Sequence, residues 1–263
     1  MLTLTIQQVA QRTGMMQLLR WTHTDGLTNR AWATGMSWYQ RSWFHHKRKA
    51  DFFSQFITSG DLVFDVGANV GQRAATFREL NARVVCVEPQ EACVRVLQST
   101  YASDSEVIIV DKALGDSPGQ SEIMVSTDDH AVSTMTPRWT TDGRFATQAV
   151  WDLRQRVTVI TLDSLIEQYG MPRFCKIDVE GFELPVLKGL TKPIPVISFE
   201  VTSDFQVEAQ ECLDHLARLG PVVFNFSWGE SMRLKLPTWV SADELLTFGA
   251  SWGVSPTPLM RWR

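Results

Sequence analysis

The chain has 263 residues, 44% of them apolar, and a net charge of −4, a balance that excludes a disordered or collagen-like polymer and suffices for one core-bearing domain. The charge is unevenly divided: residues 1–50 carry seven bases (Arg12, Arg20, Arg30, Arg41, Lys47, Arg48 and Lys49) against Asp25 alone, so the first fifty are +6 and the remainder −10. No stretch reaches the roughly 18 consecutive apolar residues of a spanning helix, the start lacks the pattern of a signal peptide, and the scattered cysteines (Cys86, Cys93, Cys175 and Cys212) point to a reduced, cytoplasmic protein without thiolate metal sites.

Residues 1–55 read as a mostly helical segment in which Trp21, Trp32, Trp38 and Trp43 are interleaved with the bases. Such a pattern fits stacking on a nucleic acid, contact with an anionic membrane surface, or helices that pack their aromatics on the domain and leave Lys and Arg in water. With no basic run longer than Lys47-Arg48-Lys49, the packed reading is preferred and nucleic acid is not the expected partner. A cover over a ligand mouth, its bases attracting an acidic substrate, is consistent with that reading, and the tryptophans offer a place for a homodimer contact.

From residue 61, Val/Ile-rich runs alternate with helical periodicity, the signature of a parallel sheet covered by helices, so residues 56–263 form one α/β domain. Leu62 to Val66 predicts a first strand, ending at Gly67-Ala68-Asn69-Val70-Gly71 and followed by a helix to about Leu80. Arg83 to Glu88 predicts a second, leading through Pro89 into the helix QEACVRVLQST, and Glu106 to Lys112 a third. Between Gly115 and about Arg156 the rhythm breaks into a turn-rich insert with one candidate strand, SEIMVS. RVTVITL predicts a half-exposed strand, Asp163 the N-cap of SLIEQYG, PRFCKIDV a buried central strand, and Glu183-Leu184-Pro185 a short helix ending near Gly189. PVISFEV is the next strand. Residues 205–219 form a helix with Phe205, Ala209, Cys212, Leu213, Leu216 and Leu219 on one face. PVVFNFS is a further strand, and Ser241 with Glu244 makes a capping box before a late helix.

The densest chemical signal is Asp65-Val66-Gly67-Ala68-Asn69-Val70-Gly71, where a strand turns into a helix. Glycines and Asn there permit left-handed backbone and close approach to a ligand, and the helix start presents N–H groups to an anion. The spacing matches neither GxGxxG nor GxxxxGK[ST], which weakens a nicotinamide or ATP reading. Glu88, at the end of the second strand, is placed to accept the hydroxyls of a ribose. The combination fits a nucleoside bearing a zwitterionic amino-acid tail, and S-adenosylmethionine is such a ligand.

DVGANVGQ (65–72), VEP (87–89) and KIDVEGFELPVLKG (176–189) resemble the FkbM family of S-adenosylmethionine-dependent methyltransferases over about residues 60–202. The resemblance implies a Rossmann-like seven-stranded sheet with its last strand antiparallel, here with an N-terminal helical segment and an inserted hairpin or loop before strand 4. It implies methyl transfer to a hydroxyl oxygen of a sugar, glycan or secondary metabolite. By position, Asp65, Gly67, Asn69 and Gly71 would line the methionine part of the cofactor, Glu88 its ribose, and Asp111, Lys112 and Ala113 the neighbourhood of its adenine.

Asp178 and Glu180 fall at the ligand edge after the fourth strand of the sheet, where a carboxylate can orient or deprotonate a hydroxyl; the alternative use is to hold the loop through backbone N–H groups. Asp178 and Glu200 also resemble the acidic ligands of catechol O-methyltransferase-type sites, which would imply a divalent cation such as Mg. His130 in the insert is either a general base on a lid or a solvated loop histidine. Two other readings stay open: an RNA methyltransferase using the basic arm, and a nucleoside-binding partner protein without chemistry.

Overall fold

The computed structural model describes residues 43–142, 146, 149–200, 206–249 and 256–262. Trp21, Trp32, Trp38 and Phe205, on which part of the sequence reading rests, lie outside them. The chain enters through α1 (Trp43–Phe53), then runs β1 (Leu62–Val66), α2 (Gln72–Glu79), β2 (Arg83–Val87), α3 (Glu91–Thr100) and β3 (Val107–Val110). The insert follows as β4 (Ala113–Leu114), β5 (Gly119–Val125), α4 (Pro137–Thr141) and β6 (Leu153–Ile160). The rest is α5 (Leu162–Tyr169), β7 (Phe174–Ile177), α6 (Glu183–Lys188), β8 (Val196–Phe199), α7 (Gln206–Leu219), β9 (Val222–Trp228), α8 (Ala242–Gly249) and β10 (Pro256–Trp262).

Seven strands form one sheet in the order β3-β2-β1-β7-β8-β10-β9. β10 is antiparallel to both its neighbours, while the pairs among β3, β2, β1, β7 and β8 are parallel. The expected seven-stranded sheet with an antiparallel last strand is therefore present. Its central strands carry apolar side chains on both faces, because helices cover both, and this is why they read as mostly apolar runs and not as alternating ones. Phe64, Val66, Cys175 and Ile177 face a core completed by α5, α6 and α7. Val63 and Phe174 face a second core with Phe52, Phe53, Phe56 and Phe77; the Phe53 ring meets Phe174 edge-on, Phe56 stacks on it and Phe77 lies tilted against it. Side chains alternate along a strand, so Asp65 and Lys176 share this second face, directly opposite each other in the β1–β7 register.

The insert is a small sheet of its own, ordered β4-β6-β5, with β5 and β6 antiparallel. Ala113 belongs to β4, paired with Val159, so only Asp111 and Lys112 link it to β3. One local expectation is corrected. Thr161, not Asp163, caps α5, in a reciprocal box with Ser164; Asp163 instead accepts from the backbone N–H (3.0 Å) and hydroxyl (2.5 Å) of Thr191. The Ser241–Glu244 box before α8 forms as expected. All four cysteines are buried thiols, and no helix among the described residues is long and apolar enough to cross a membrane.

The chain reverses its direction of winding between β1 and β7, and open α/β sheets bind ligands at such a point. Here the two strand ends are pressed together. Asp178 N–H donates to the Val66 carbonyl at 2.9 Å, and a Cβ built on Gly67 (φ +76°) would lie 1.8 Å from the Asp178 carbonyl oxygen. Gly60 has a similar φ of +86° but nothing within 4 Å of such a Cβ. Gly60→Ala should cost about 1 kcal/mol, the conformational penalty alone. Gly67→Ala should cost about 3 kcal/mol or more, because backbone must move. Urea midpoints test this, and equal losses at the two positions would contradict the packing argument.

Candidate active site at the carboxyl edge of the sheet

The glycine loop is fastened to β2. Gly67 and Ala68 donate their N–H groups to the Val87 carbonyl, at 2.9 and 3.1 Å, and Asn69 adopts a left-handed φ of 49°. Glu88 is buried and fixes the same loop: one carboxylate oxygen accepts from Asn69 N–H (2.8 Å) and the other from Gln90 N–H (2.9 Å). Burial pushes its carboxyl up to about 7 against the lowering effect of those N–H groups. Each carboxylate oxygen has a second lone pair, so the acid can organise the loop and still meet a ribose. Asp65 is 1% exposed, and burial pushes it up to about 7 despite the nearby charges of Lys176 and Arg73. Its Oδ2 is buried with no hydrogen-bond partner among the described residues.

Beyond β7, three of the predicted acids converge. One carboxylate oxygen from each of Asp178, Glu180 and Glu200 lies within 4.8 Å of the others. Burial would raise Asp178, but the Lys176 ammonium 3.0 Å from its Oδ2, with a hydrogen bond from Glu200, holds it below the ordinary carboxylate range. Lys176 is 4% exposed and also donates to the Ile177 carbonyl at 3.2 Å. Glu180 has a left-handed φ of 50°, a conformation that costs a non-glycine residue of order 1 kcal/mol and that collects at functional sites.

The acid that holds this loop is Glu183. Its Oε1 accepts from Val179 N–H (3.2 Å) and Gly181 N–H (3.3 Å), and burial pushes its carboxyl up to about 7. The insert clamps the loop from outside: Thr134 donates to the Glu180 carbonyl (2.7 Å) and Thr136 to the Gly181 carbonyl (2.8 Å). Gly181 is required here because a Cβ would lie 2.7 Å from the ring of buried Trp139.

His130 sits on a short 3-10 turn. Gln90 grips it from both sides, with Oε1 3.3 Å from Nδ1 and Nε2 donating to the His130 carbonyl at 3.1 Å. The histidine is thus joined to the Glu88 side of the edge and is not one of the three clustered carboxyl residues. Asp111 is exposed, Lys112 half-buried and Ala113 buried in the small sheet. Lys176, Glu183 and Arg73 were not singled out from sequence. A lysine inside a run otherwise read as a buried strand was the available signal for the first.

The residues present fit S-adenosylmethionine: a glycine loop opening a helix, a buried acid with an unsatisfied oxygen for an ammonium group, and a second buried acid at the ribose position. They fit a divalent cation poorly. Lys176 already places an ammonium 3.0 Å from Asp178 Oδ2, so a dication among these carboxyls would have to face that positive charge.

The raised carboxyls set a pH dependence of stability. Asp65 and Glu88 have ordinary values of 3.8 and 4.5 and folded values of about 7. The folded state therefore binds their protons more tightly than the unfolded state. Their contribution is fully present below about pH 4 and lost as pH rises through about 7. Asp65→Asn should reduce the fall in urea midpoint between pH 5 and 8. An unchanged slope would show that Asp65 is not held protonated by burial.

A model of the methyltransferase FkbM domain matches residues 65–223. The hexuronic acid methyltransferase AglP of Haloferax volcanii is 27% identical over 144 residues, 54% of this chain and 54% of that protein, so the chain spans about half the length of this relative. Among solved structures, precorrin-6y C5,15-methyltransferase from Geobacter metallireducens matches at 10% identity with a TM-score of 0.43, over 82% of this chain and 88% of that one. A TehB-like SAM-dependent methyltransferase from Corynebacterium glutamicum matches at 9% identity with a TM-score of 0.44, over 82% and 88%. With its family model spanning both the glycine loop and the acid-bearing strand ends, the chain belongs to the FkbM methyltransferase family.

Proposed function

We propose that the protein transfers a methyl group from S-adenosylmethionine to a hydroxyl oxygen of an acidic sugar or glycan. The observation that carries this reading is the convergence of Asp178, Glu180 and Glu200 directly across the Gly67 contact from the glycine loop. Such a cluster suits a hydroxyl, which must lose a proton, and repels a carboxylate brought up as the nucleophile. The name of the Haloferax volcanii relative supports a sugar acceptor, and the +6 charge of the first fifty residues supports an acidic one. Residues 1–55 are proposed as the cover and 56–263 as the methyltransferase domain.

When bound, the cofactor supplies an electrophilic methyl group on a sulfonium centre, and its sulfur keeps the electron pair of the broken bond. In this reading Asp65 and the glycine loop hold the methionine part, Glu88 the ribose, and the segment around Asp111, Lys112 and Ala113 lies towards the adenine. Asp178, kept ionised by Lys176, aligns the acceptor hydroxyl and takes its proton as the oxygen–methyl bond forms. Positioning supplies much of the acceleration in such an in-line displacement, and the charges of Lys176 and Asp178 are fixed before the acceptor arrives. Lys176 offsets the charge of Asp178, whereas the divalent cation of a catechol-type site would act on the acceptor hydroxyl itself. His130, held by Gln90, anchors the insert rather than acting as the base.

Formation of S-adenosylhomocysteine with glucuronides as acceptors tests the reading. Asp178→Asn should lower kcat by about 100-fold or more, while calorimetric affinity for S-adenosylhomocysteine changes by less than about threefold. EDTA should leave the wild-type rate unchanged. Full activity of the variant, or loss of activity restored by Mg, would overturn the assignment of Asp178 or the metal-free reading respectively.

A further inference from the structure

A second charged group lies at the same edge, where α1, α2 and the turn after β9 meet. Glu230 sits on a short 3-10 turn (Gly229–Ser231) after β9 and is gripped by two cations. Arg73, in the first turn of α2, forks onto it, with Nη1 3.2 Å from Oε2 and Nη2 on Oε1. Lys49 of α1 approaches Oε2 to 3.3 Å. Beside them Arg48 donates to the Ser231 carbonyl, so the basic run of the N-terminal segment ends on this turn.

The burial is lopsided. The Lys49 and Arg73 side chains are only 16% and 17% exposed, whereas Glu230 is 62% exposed. The cations are therefore built into the wall and the carboxylate lies on the water side. Packing against that wall would raise the Glu230 carboxyl, yet Arg73 and Lys49 bring it down to about 2. Two positive charges face one negative charge. Burial alone would lower Arg73; Glu230, Asp178 and Asp65 together raise it, which places its guanidinium within electrostatic reach of the acceptor-side acid.

We propose that Arg73 and Lys49 form a subsite for the carboxylate of an acidic acceptor, and that Glu230 occupies it as an internal stand-in until the acceptor displaces it. The proposal rests on the acidic-sugar reading above and gives it a place in the structure. Arginine paired with a second cation is the side-chain chemistry that recognises a carboxylate in two-point geometry. Glu230 comes from the β8-β10-β9 half of the sheet and Arg73 from the start of α2, two residues beyond Gly71, so the trio bridges the glycine-loop half and the opposite half, the side on which an acceptor would approach. An exposed carboxylate is also the member of the trio that leaves at least cost, since water replaces its contacts.

The test measures binding of methyl glucuronide and methyl glucoside to the full chain saturated with S-adenosylhomocysteine. Wild type should prefer the glucuronide, and the preference should shrink in high salt. Glu230→Gln, which removes the competing charge, should tighten the glucuronide by about threefold or more and leave the glucoside unchanged. Arg73→Gln should erase the preference. Equal wild-type affinity for the two sugars would overturn the subsite even if every variant failed to fold. A Glu230→Gln effect confined to S-adenosylhomocysteine would assign the cations to the cofactor tail and overturn it too. Continued methyl transfer to a neutral glycoside in either case would show that the enzymatic reading survives.

Discussion

The contact between the Gly67 backbone and the Asp178 carbonyl is the constraint on which the site depends. A Cβ at Gly67 would lie 1.8 Å from that oxygen, so the ends of β1 and β7 approach as closely as backbone allows. This contact makes one edge out of two loops with different duties. The loop after β1 runs on from Gly67 and is held by Glu88 through the Asn69 N–H. The loop after β7 carries Asp178 and Glu180 and is secured by Glu183 from inside and by Thr134 and Thr136 from the insert. The β1–β7 register then sets Asp65 opposite Lys176, which places a buried acid and a buried base on a face that is otherwise aromatic and aliphatic.

Charge placed this way costs stability and prepares chemistry. Asp65, Glu88 and Glu183 are each pushed to about 7 by burial, and Glu180 is held in a left-handed conformation. Natural sites accept such costs when the arranged groups are needed for binding or reaction. Lys176 resolves the sharpest conflict: without it, Asp178 would stand partly buried beside two further acids, and its charge would move to solvent or be lost to a proton. The same ammonium sets a fixed positive charge beside three carboxyl groups spaced as a cation's ligands would be.

Much of the fold could be read from the chain because its central strands are covered on both sides. Leu62 to Val66 and the helix from Gln206 to Leu219 announce themselves by apolar patterning, and the Ser241–Glu244 box by local hydrogen-bond chemistry. Choices decided by geometry were not legible. Thr161 and Asp163 are both good caps, and only the distance to Thr191 shows that Asp163 is used elsewhere. Asp178, Glu180 and Glu183 lie within six residues, and sequence gives no means of telling which one turns inward to hold the loop. Lys176 could have been found, since alternation puts it on the same face as Asp65 once the two strands are paired. The Arg73–Glu230 pair could not, because it joins residues 157 positions apart.

A crystal structure of the full chain with S-adenosylhomocysteine is the most direct test of this account. The ribose hydroxyls should lie on Glu88, the amino-acid tail against Asp65 and the glycine loop, and the sulfur towards the space bounded by Asp178, Glu180 and Glu200, with no metal ion between them. Product bound elsewhere, or bound with its sulfur turned away from those carboxylates, would contradict it.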